Sequence, residues 1–245
     1  MSSNPVVLIT GASRGIGAAT AIHFARHGYD ICLNYKINDV QAKKVAQQVE
    51  GFGVKVVMLQ ADVSSEVDVI AMFESIDNTF TKLDVLVNNA GILKPQMKLL
   101  DMDAKRINEI LTTNVTSAFL CCKEAIKRMP IGGSIVNVSS GAAKTGSPNE
   151  YIDYAASKGA IDTLTIGLAK EVAKQNIRVN GVRPGLIYTD MHRDGGEANR
   201  VDRLKDMLPL ARGGHPEEVA AAIYFLASEN ASFTTGSFID VAGGL

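Results

Sequence analysis

Cysteine is scarce in this chain: of 245 residues only Cys32, Cys121 and Cys122 are cysteines, two of them adjacent. An odd count with that spacing excludes a disulfide framework and fits a reducing compartment. Their apolar surroundings mark them as small core residues rather than redox centres. Net charge is also nearly absent, 25 basic against 26 acidic side chains, so nothing points to nucleic acid or an anionic membrane surface. Long apolar runs are missing, because Gly, Asn or charge interrupts each one, and no membrane span is expected. The start, Met1-Ser2-Ser3-Asn4-Pro5, has neither the basic beginning nor the apolar stretch of a signal peptide, so a cytoplasmic protein is expected. His23, His27, His192 and His215 have no metal-ligand spacing, and no metal site is expected. With no linker, repeat or low-complexity stretch, residues 1–245 are expected to form a single domain.

What the chain does have is a regular alternation. Runs rich in Val, Ile and Leu at 6–10, 30–35, 54–60, 83–88, 134–139 and 177–182 read as buried strands. Strands apolar on both faces belong to a parallel sheet covered on each side. Helical periods lie between them at 18–27, 39–50, 66–79, 103–128 and 154–174. Residues 238–241 read as a final strand, and His215-Pro216-Glu217-Glu218 as a helix start. The pattern predicts an α/β fold, a doubly wound parallel sheet of about seven strands with right-handed crossovers and helices on both faces. One polar stretch, 192–206 with Gly195-Gly196, breaks the rhythm and reads as a mobile loop or short helices over a site.

The first strand runs into Thr10-Gly11-Ala12-Ser13-Arg14-Gly15-Ile16-Gly17, with a helix behind it. Glycines at a strand–helix junction allow a tight turn and let the backbone approach a pyrophosphate seated on the helix N-terminus. The second strand ends Leu33-Asn34-Tyr35-Lys36, without the acid that binds adenosine ribose hydroxyls in NAD sites. Asp39 lies near the right distance but begins the next helix, where an N-cap role is expected. Arg14 and Lys36 can both reach a 2′-phosphate, so NADP(H) is expected over NAD(H).

Tyr154 and Lys158 stand four residues apart, one turn along a helix. An ammonium beside a phenol stabilises the phenolate and lowers its pKa. A tyrosine tuned in this way exchanges a proton with a carbonyl or alcohol oxygen near neutral pH. The same spacing also arises as an inert, solvated pair, so the motif alone leaves both readings open.

Taken together these residues resemble the short-chain dehydrogenase/reductases. The resemblance rests on Thr10 to Gly17, Asn88-Asn89-Ala90-Gly91, Asn114, Ser139-Ser140, Tyr154 with Lys158, and Arg183-Pro184-Gly185 with Thr189, in family order over almost the whole chain. It implies a Rossmann-type fold and interconversion of a carbonyl and a secondary alcohol. By position, Tyr154 would be the acid/base and Ser140 the hydroxyl that orients the substrate oxygen, with Ser139 as a rival. Lys158 would hold the nicotinamide ribose and lower the Tyr154 pKa, and Asn114 would anchor a proton-relaying water chain. The cofactor would be held by Gly11, Ser13, Arg14, Gly15, Ile16 and Gly17, by Tyr35 and Lys36, and by Asp62 and Val63 at the adenine. Asn89 and Gly91 would lie along it, and Pro184, Gly185, Ile187 and Thr189 would clamp the nicotinamide.

Substrate identity is less legible. The family's specificity segment falls at 186–206, a covering loop bearing Arg193, Asp194 and Arg200; the loop at 141–151 carries Lys144, Asn149 and Glu150. Such walls suit a small polar substrate, a sugar- or polyol-like ketone or alcohol. A rival is a 3-oxoacyl-thioester reductase acting on an acyl-carrier protein, for which Lys123, Lys127 and Arg128 would supply a basic patch. A third reading, a non-catalytic NADP(H)-binding redox sensor, fits poorly with Tyr154, Lys158, Ser140 and Asn114 all present. Relatives are commonly homotetramers, and Ala155, Ile161, Leu164, Ile166 and Leu168 give surplus apolar surface for a homotetramer or homodimer.

Overall fold

The computed structural model describes residues 4–129 and 132–245; Met1, Ser2 and Ser3, on which the reading of the N-terminus partly rests, lie outside them. Seven strands, β1 (Val6–Ile9), β2 (Asp30–Tyr35), β3 (Val56–Gln60), β4 (Val85–Asn88), β5 (Ser134–Val138), β6 (Arg178–Pro184) and β7 (Phe238–Val241), form one sheet in the order β3-β2-β1-β4-β5-β6-β7. Every neighbouring pair is parallel. The helices, in chain order, are α1 (Gly15–Arg26), α2 (Asp39–Glu50), α3 (Glu66–Asp77), α4 (Ala104–Leu111), α5 (Ser117–Ile126), α6 (Ala142–Thr145), α7 (Ile152–Glu171), α8 (Met191–Asp194), α9 (Arg200–Leu204) and α10 (Pro216–Ala227).

Successive residues of a strand face opposite sides of the sheet, and here both sides are apolar. Val7 and Ile9 pack with Phe24, Val45, Val219 and Ile223 of α1, α2 and α10. Val6 and Leu8 pack on the other face with Phe73 of α3 and Cys121 and Ala125 of α5. This double cover explains the near-continuous apolar strands of the sequence. The chain order reverses between β1 and β4, and such a switch point opens a crevice at the carboxyl ends of the strands.

Two expectations need correction. The helix expected over 103–128 is split by a π-helical turn at Thr112–Thr116, which joins α4 to α5. The wider turn places Asn114 against the chain after β4, where its Oδ1 accepts from Ile92 N at 2.7 Å and its Nδ2 donates to Ile92 O at 3.0 Å. Asp39 is not the cap of α2: Asn38 is, accepting from Gln41 N at 3.2 Å, while Asp39 takes the Tyr35 hydroxyl at 2.9 Å and Lys43 at 2.7 Å. Of the two forms expected for the polar stretch after β6, the structure has short helices, α8 and α9. Cys32, Cys121 and Cys122 are free and buried, and burial pushes the Cys32 and Cys122 thiols up to about 12. Among the described residues no helix is long and apolar enough to cross a membrane, and no group of three His, Cys, Asp or Glu could hold a metal ion.

Candidate active site

The glycine turn after β1 is shaped by what would collide with a side chain. Gly11 and Gly15 have φ of +62° and +55°, a region that favours glycine. At Gly17 a Cβ would lie 2.5 Å from the Gly11 carbonyl oxygen and 2.6 Å from Asn89 Nδ2. Asn89 braces the turn, donating from Nδ2 to Thr10 O at 2.9 Å and Gly11 O at 3.1 Å. Asn34 is a brace that sequence reasoning missed. Almost wholly buried, it accepts from Gly11 N at 3.2 Å and donates to Leu59 O and Ala61 O, both at 3.1 Å. Its signal was a polar residue set between Leu33 and Tyr35 inside an otherwise apolar run. Side chains cap the N-termini of α2, α3 and α4, but none caps α1 and no acid lies in its first turn. An uncapped N-terminus beside bare backbone fits a pyrophosphate.

Toward the adenosine side the cations have partners. Lys36 Nζ sits 2.6 Å from Asp62 Oδ2, and Arg14 is paired with Asp194 at the end of α8. Burial alone would raise the Asp62 carboxyl, but Lys36 and Ser64 outweigh it and hold it below its ordinary value. Tyr35 and Val63 are buried at the ends of β2 and β3. The residues present fit a dinucleotide, which Gly11 to Gly17 would hold at the phosphates, Arg14 and Lys36 at the ribose, and Asp62 with Val63 at the base.

Ser140, Tyr154 and Lys158 converge on one cavity of about 410 Å³, which Ile16, Asn89, Pro184, Gly185, Ile187 and Thr189 also line. Ser140 lies beside the Tyr154 phenol, near enough to lower its pKa, and accepts from Ala142 N at 3.1 Å. The Ser139 hydroxyl is instead buried and donates to Lys158 O at 3.2 Å, so Ser140 is the serine that meets Tyr154. Asn114 stays outside the cavity; its Nδ2 donates to Ser157 Oγ at 3.1 Å, and that hydroxyl donates to Tyr154 O at 2.6 Å. Gly91 leaves open the space beside Asn114 and Lys158, since a Cβ there would lie 3.5 Å from Lys158 Nζ.

The expected electrostatics run the other way in the protein alone. Burial pushes the Tyr154 phenol up to about 12, although the neighbouring Ser140 hydroxyl pulls it down. Burial also drives Lys158 down to about 8, with Asp162 opposing. The geometric cause is the direction of the ammonium: Lys158 Nζ donates to Val138 O at 2.8 Å and lies 5.6 Å from the Tyr154 ring centre.

The polar walls expected around the substrate are also largely self-neutralised. Lys144 pairs with Asp240 at 2.8 Å, Arg193 with Asp190, and Asp194 with Arg14. Arg200 is bound to Glu150 and to Glu197 and lies 5.1 Å from the Tyr151 ring centre. What these pairs leave facing the cavity is mostly carbon, including Leu93, Leu186, Met191, Leu204, Met207 and Leu245. The basic patch expected at 123–128 is cancelled in the same way: Lys123 pairs with Glu66, Lys127 with Glu124, and Arg128 with Asp77 and Glu124.

Residues 11–245 match the family described as enoyl-(acyl carrier protein) reductase. Among curated proteins, an uncharacterised oxidoreductase of Escherichia coli (strain K12), YgfF, is 57% identical, with 98% of this chain and 99% of that protein covered. The 3-oxoacyl-[acyl-carrier-protein] reductase FabG of Staphylococcus aureus (strain Mu50) is 35% identical over 100% of this chain and 99% of its own. Among solved structures, a short-chain dehydrogenase of Burkholderia cenocepacia J2315 in complex with NADP superposes with a TM-score of 0.91 at 32% identity, covering 98% of this chain and 97% of that one.

Proposed function

The chain belongs to the short-chain dehydrogenase/reductases and is an oxidoreductase; we propose that it interconverts a carbonyl and a secondary alcohol with NADP(H), using Tyr154 as the acid/base. The observation that carries this reading is the convergence of the Tyr154 phenol, Ser140 and Lys158 on one cavity. A carbonyl oxygen set between the two hydroxyls accepts a hydrogen bond from each, which stabilises the charge that grows on it. Bound nicotinamide cofactor supplies the hydride. With a pKa raised to about 12 the phenol is protonated at pH 7, ready to act as the acid. Lys158, near 8, can return a proton to the phenolate at neutral pH. The Asn114–Ser157 hydrogen bonds hold the Tyr154 carbonyl while the proton moves.

The preference for NADP(H) over NAD(H) is supported by Lys36 just after β2 and Arg14 in the glycine turn, and by Asp39 being held by Tyr35 and Lys43. The carbon-lined cavity favours a carbonyl bearing an aliphatic or aromatic group over the sugar- or polyol-like substrate expected from sequence. A 3-oxoacyl thioester is the second reading. The 35% identical reductase bearing that name supports it; the neutralised cations at 123–128 weigh against a carrier-protein dock.

A homotetramer or homodimer is the proposed assembly. Ala155 and Ile161 belong to this chain's own core, but Leu111, Phe119 and Ile166 leave an apolar face exposed on α4, α5 and α7. Residues 1–245 are proposed to act as one domain, with 186–206 covering the substrate, in the cytoplasm.

The test is a panel of alkyl and aryl ketones, keto-sugars and acyl-carrier-protein 3-oxoacyl thioesters, followed by NADPH oxidation. Turnover of the apolar ketones with kcat/KM at least tenfold above the keto-sugars is expected. Sugar turnover above ketone turnover would overturn the substrate reading. A preference for the carrier-bound thioester over the free ketones would establish the second one.

A further inference from the structure

A buried ion pair adjoins Tyr154 without reaching the cavity. The Arg106 side chain, on α4, is 10% exposed and that of Asp153, in the first turn of α7, is 2% exposed. Arg106 Nε donates to Asp153 Oδ2 at 2.7 Å, and Nη1 donates to Pro95 O, also at 2.7 Å. The other carboxylate oxygen, Oδ1, accepts from Tyr154 N at 2.9 Å. Arg106 Nη2 is buried without a hydrogen-bond partner.

A pair of this kind is a poor source of stability, because desolvating both charges offsets much of their attraction. Its geometry is more informative. The Tyr154 amide lies in the first turn of α7, where no preceding helical carbonyl can accept from it. Asp153 satisfies it, and Arg106 fixes Asp153. At the other end of the same residue, Tyr154 O accepts from Ser157 Oγ, which Asn114 holds. Arg106 and Asn114 come from one continuous stretch, α4 and the π turn that follows it. That stretch therefore grips the Tyr154 main chain at both its amide and its carbonyl. Arg106 further ties in Pro95, two residues from Leu93 on the cavity wall.

We propose that Arg106 and Asp153 are positioning residues for the reaction: they fix the Tyr154 amide and thereby set the phenol against Ser140. The inference rests on the reading of Tyr154 as the acid/base. Displacing a reacting group by about 1 Å can cost on the order of 100-fold in rate, so a grip on the main chain has kinetic consequences.

Two double variants test it, because Arg106→Met alone would strand a buried carboxylate. Arg106→Met/Asp153→Asn removes the charges but keeps an oxygen that can accept from Tyr154 N. Arg106→Met/Asp153→Leu removes both. kcat, KM, NADPH Kd and Tm are measured for each, well below melting. The Asp153→Leu double variant should lose about tenfold or more in kcat, with KM and NADPH Kd within about twofold of wild type. The Asp153→Asn double variant should recover most of that loss. Wild-type kcat in both, whatever their Tm, would overturn the proposal, as would equal losses in both. Tyr154→Phe separates the two readings: if it keeps wild-type kcat the acid/base assignment fails. If it loses activity while both double variants retain it, only the positioning role fails.

Discussion

Replacing Lys158 with methionine should make the protein without cofactor more stable near neutral pH. Lys158 is buried, and burial takes its pKa from 10.5 down to about 8. Each pH unit of such a gap corresponds to about 1.4 kcal/mol, so burying the ammonium costs about 3 kcal/mol. For a base whose folded pKa is depressed, the native state binds fewer protons than the unfolded chain between the two values. The cost is therefore fully present below about pH 8, falls as pH rises, and is gone above 10.5. Losing the hydrogen bond to Val138 O costs Lys158→Met about 1 kcal/mol at every pH. The variant should thus be about 2 kcal/mol more stable at pH 7 and about 1 kcal/mol less stable above pH 10.5, with the sign changing between. Urea unfolding of both proteins from pH 7 to 10.5 measures this, and titrations common to both cancel in the difference. Parallel stability curves across that range would refute the argument that burial dominates at Lys158.

Tyr154→Phe removes the proton donor and should lower carbonyl reduction by at least ~100-fold while NADPH Kd stays near wild type; near-normal turnover would end the acid/base assignment. Arg14→Ala with Lys36→Ala should cut the NADPH-to-NADH preference at least tenfold, measured as a ratio of kcat/KM; an unchanged ratio would show that neither cation reads the 2′-phosphate. Gly17→Ala puts a Cβ 2.5 Å from the Gly11 carbonyl oxygen. Such overpacking costs about 1–3 kcal/mol, so Tm should fall and NADPH Kd should rise about tenfold or more; calorimetry showing neither would mean the turn relaxes freely.

The sheet was legible because its cause is local and repetitive: strands apolar on both faces need helices on both faces. Boundaries slipped by one or two residues, since ends such as Val56 and Val85 depend on pairing partners. The π turn at Asn114 was not legible, as its reason lies at Ile92, 22 residues away. The Ser139–Ser140 ambiguity had a similar origin, in that the Ser139 hydroxyl meets Lys158 O while Ser140 lies beside Tyr154.

By itself, then, the sequence determined the α/β architecture, the glycine turn and the presence of a serine, a tyrosine and a lysine suited to carbonyl chemistry. These follow from residue types at short spacings, which tertiary contacts do not alter. Only the tertiary structure decided what the charges do. Lys36 found Asp62, Arg14 found Asp194, and Arg193 and Arg200 found acids of their own, leaving a cavity mostly of carbon. Lys158 turned to Val138 O, and Arg106 reached Asp153 across 47 residues. A charge acts through the partner and the solvent it meets in space, and neither is encoded in the neighbours it has along the chain.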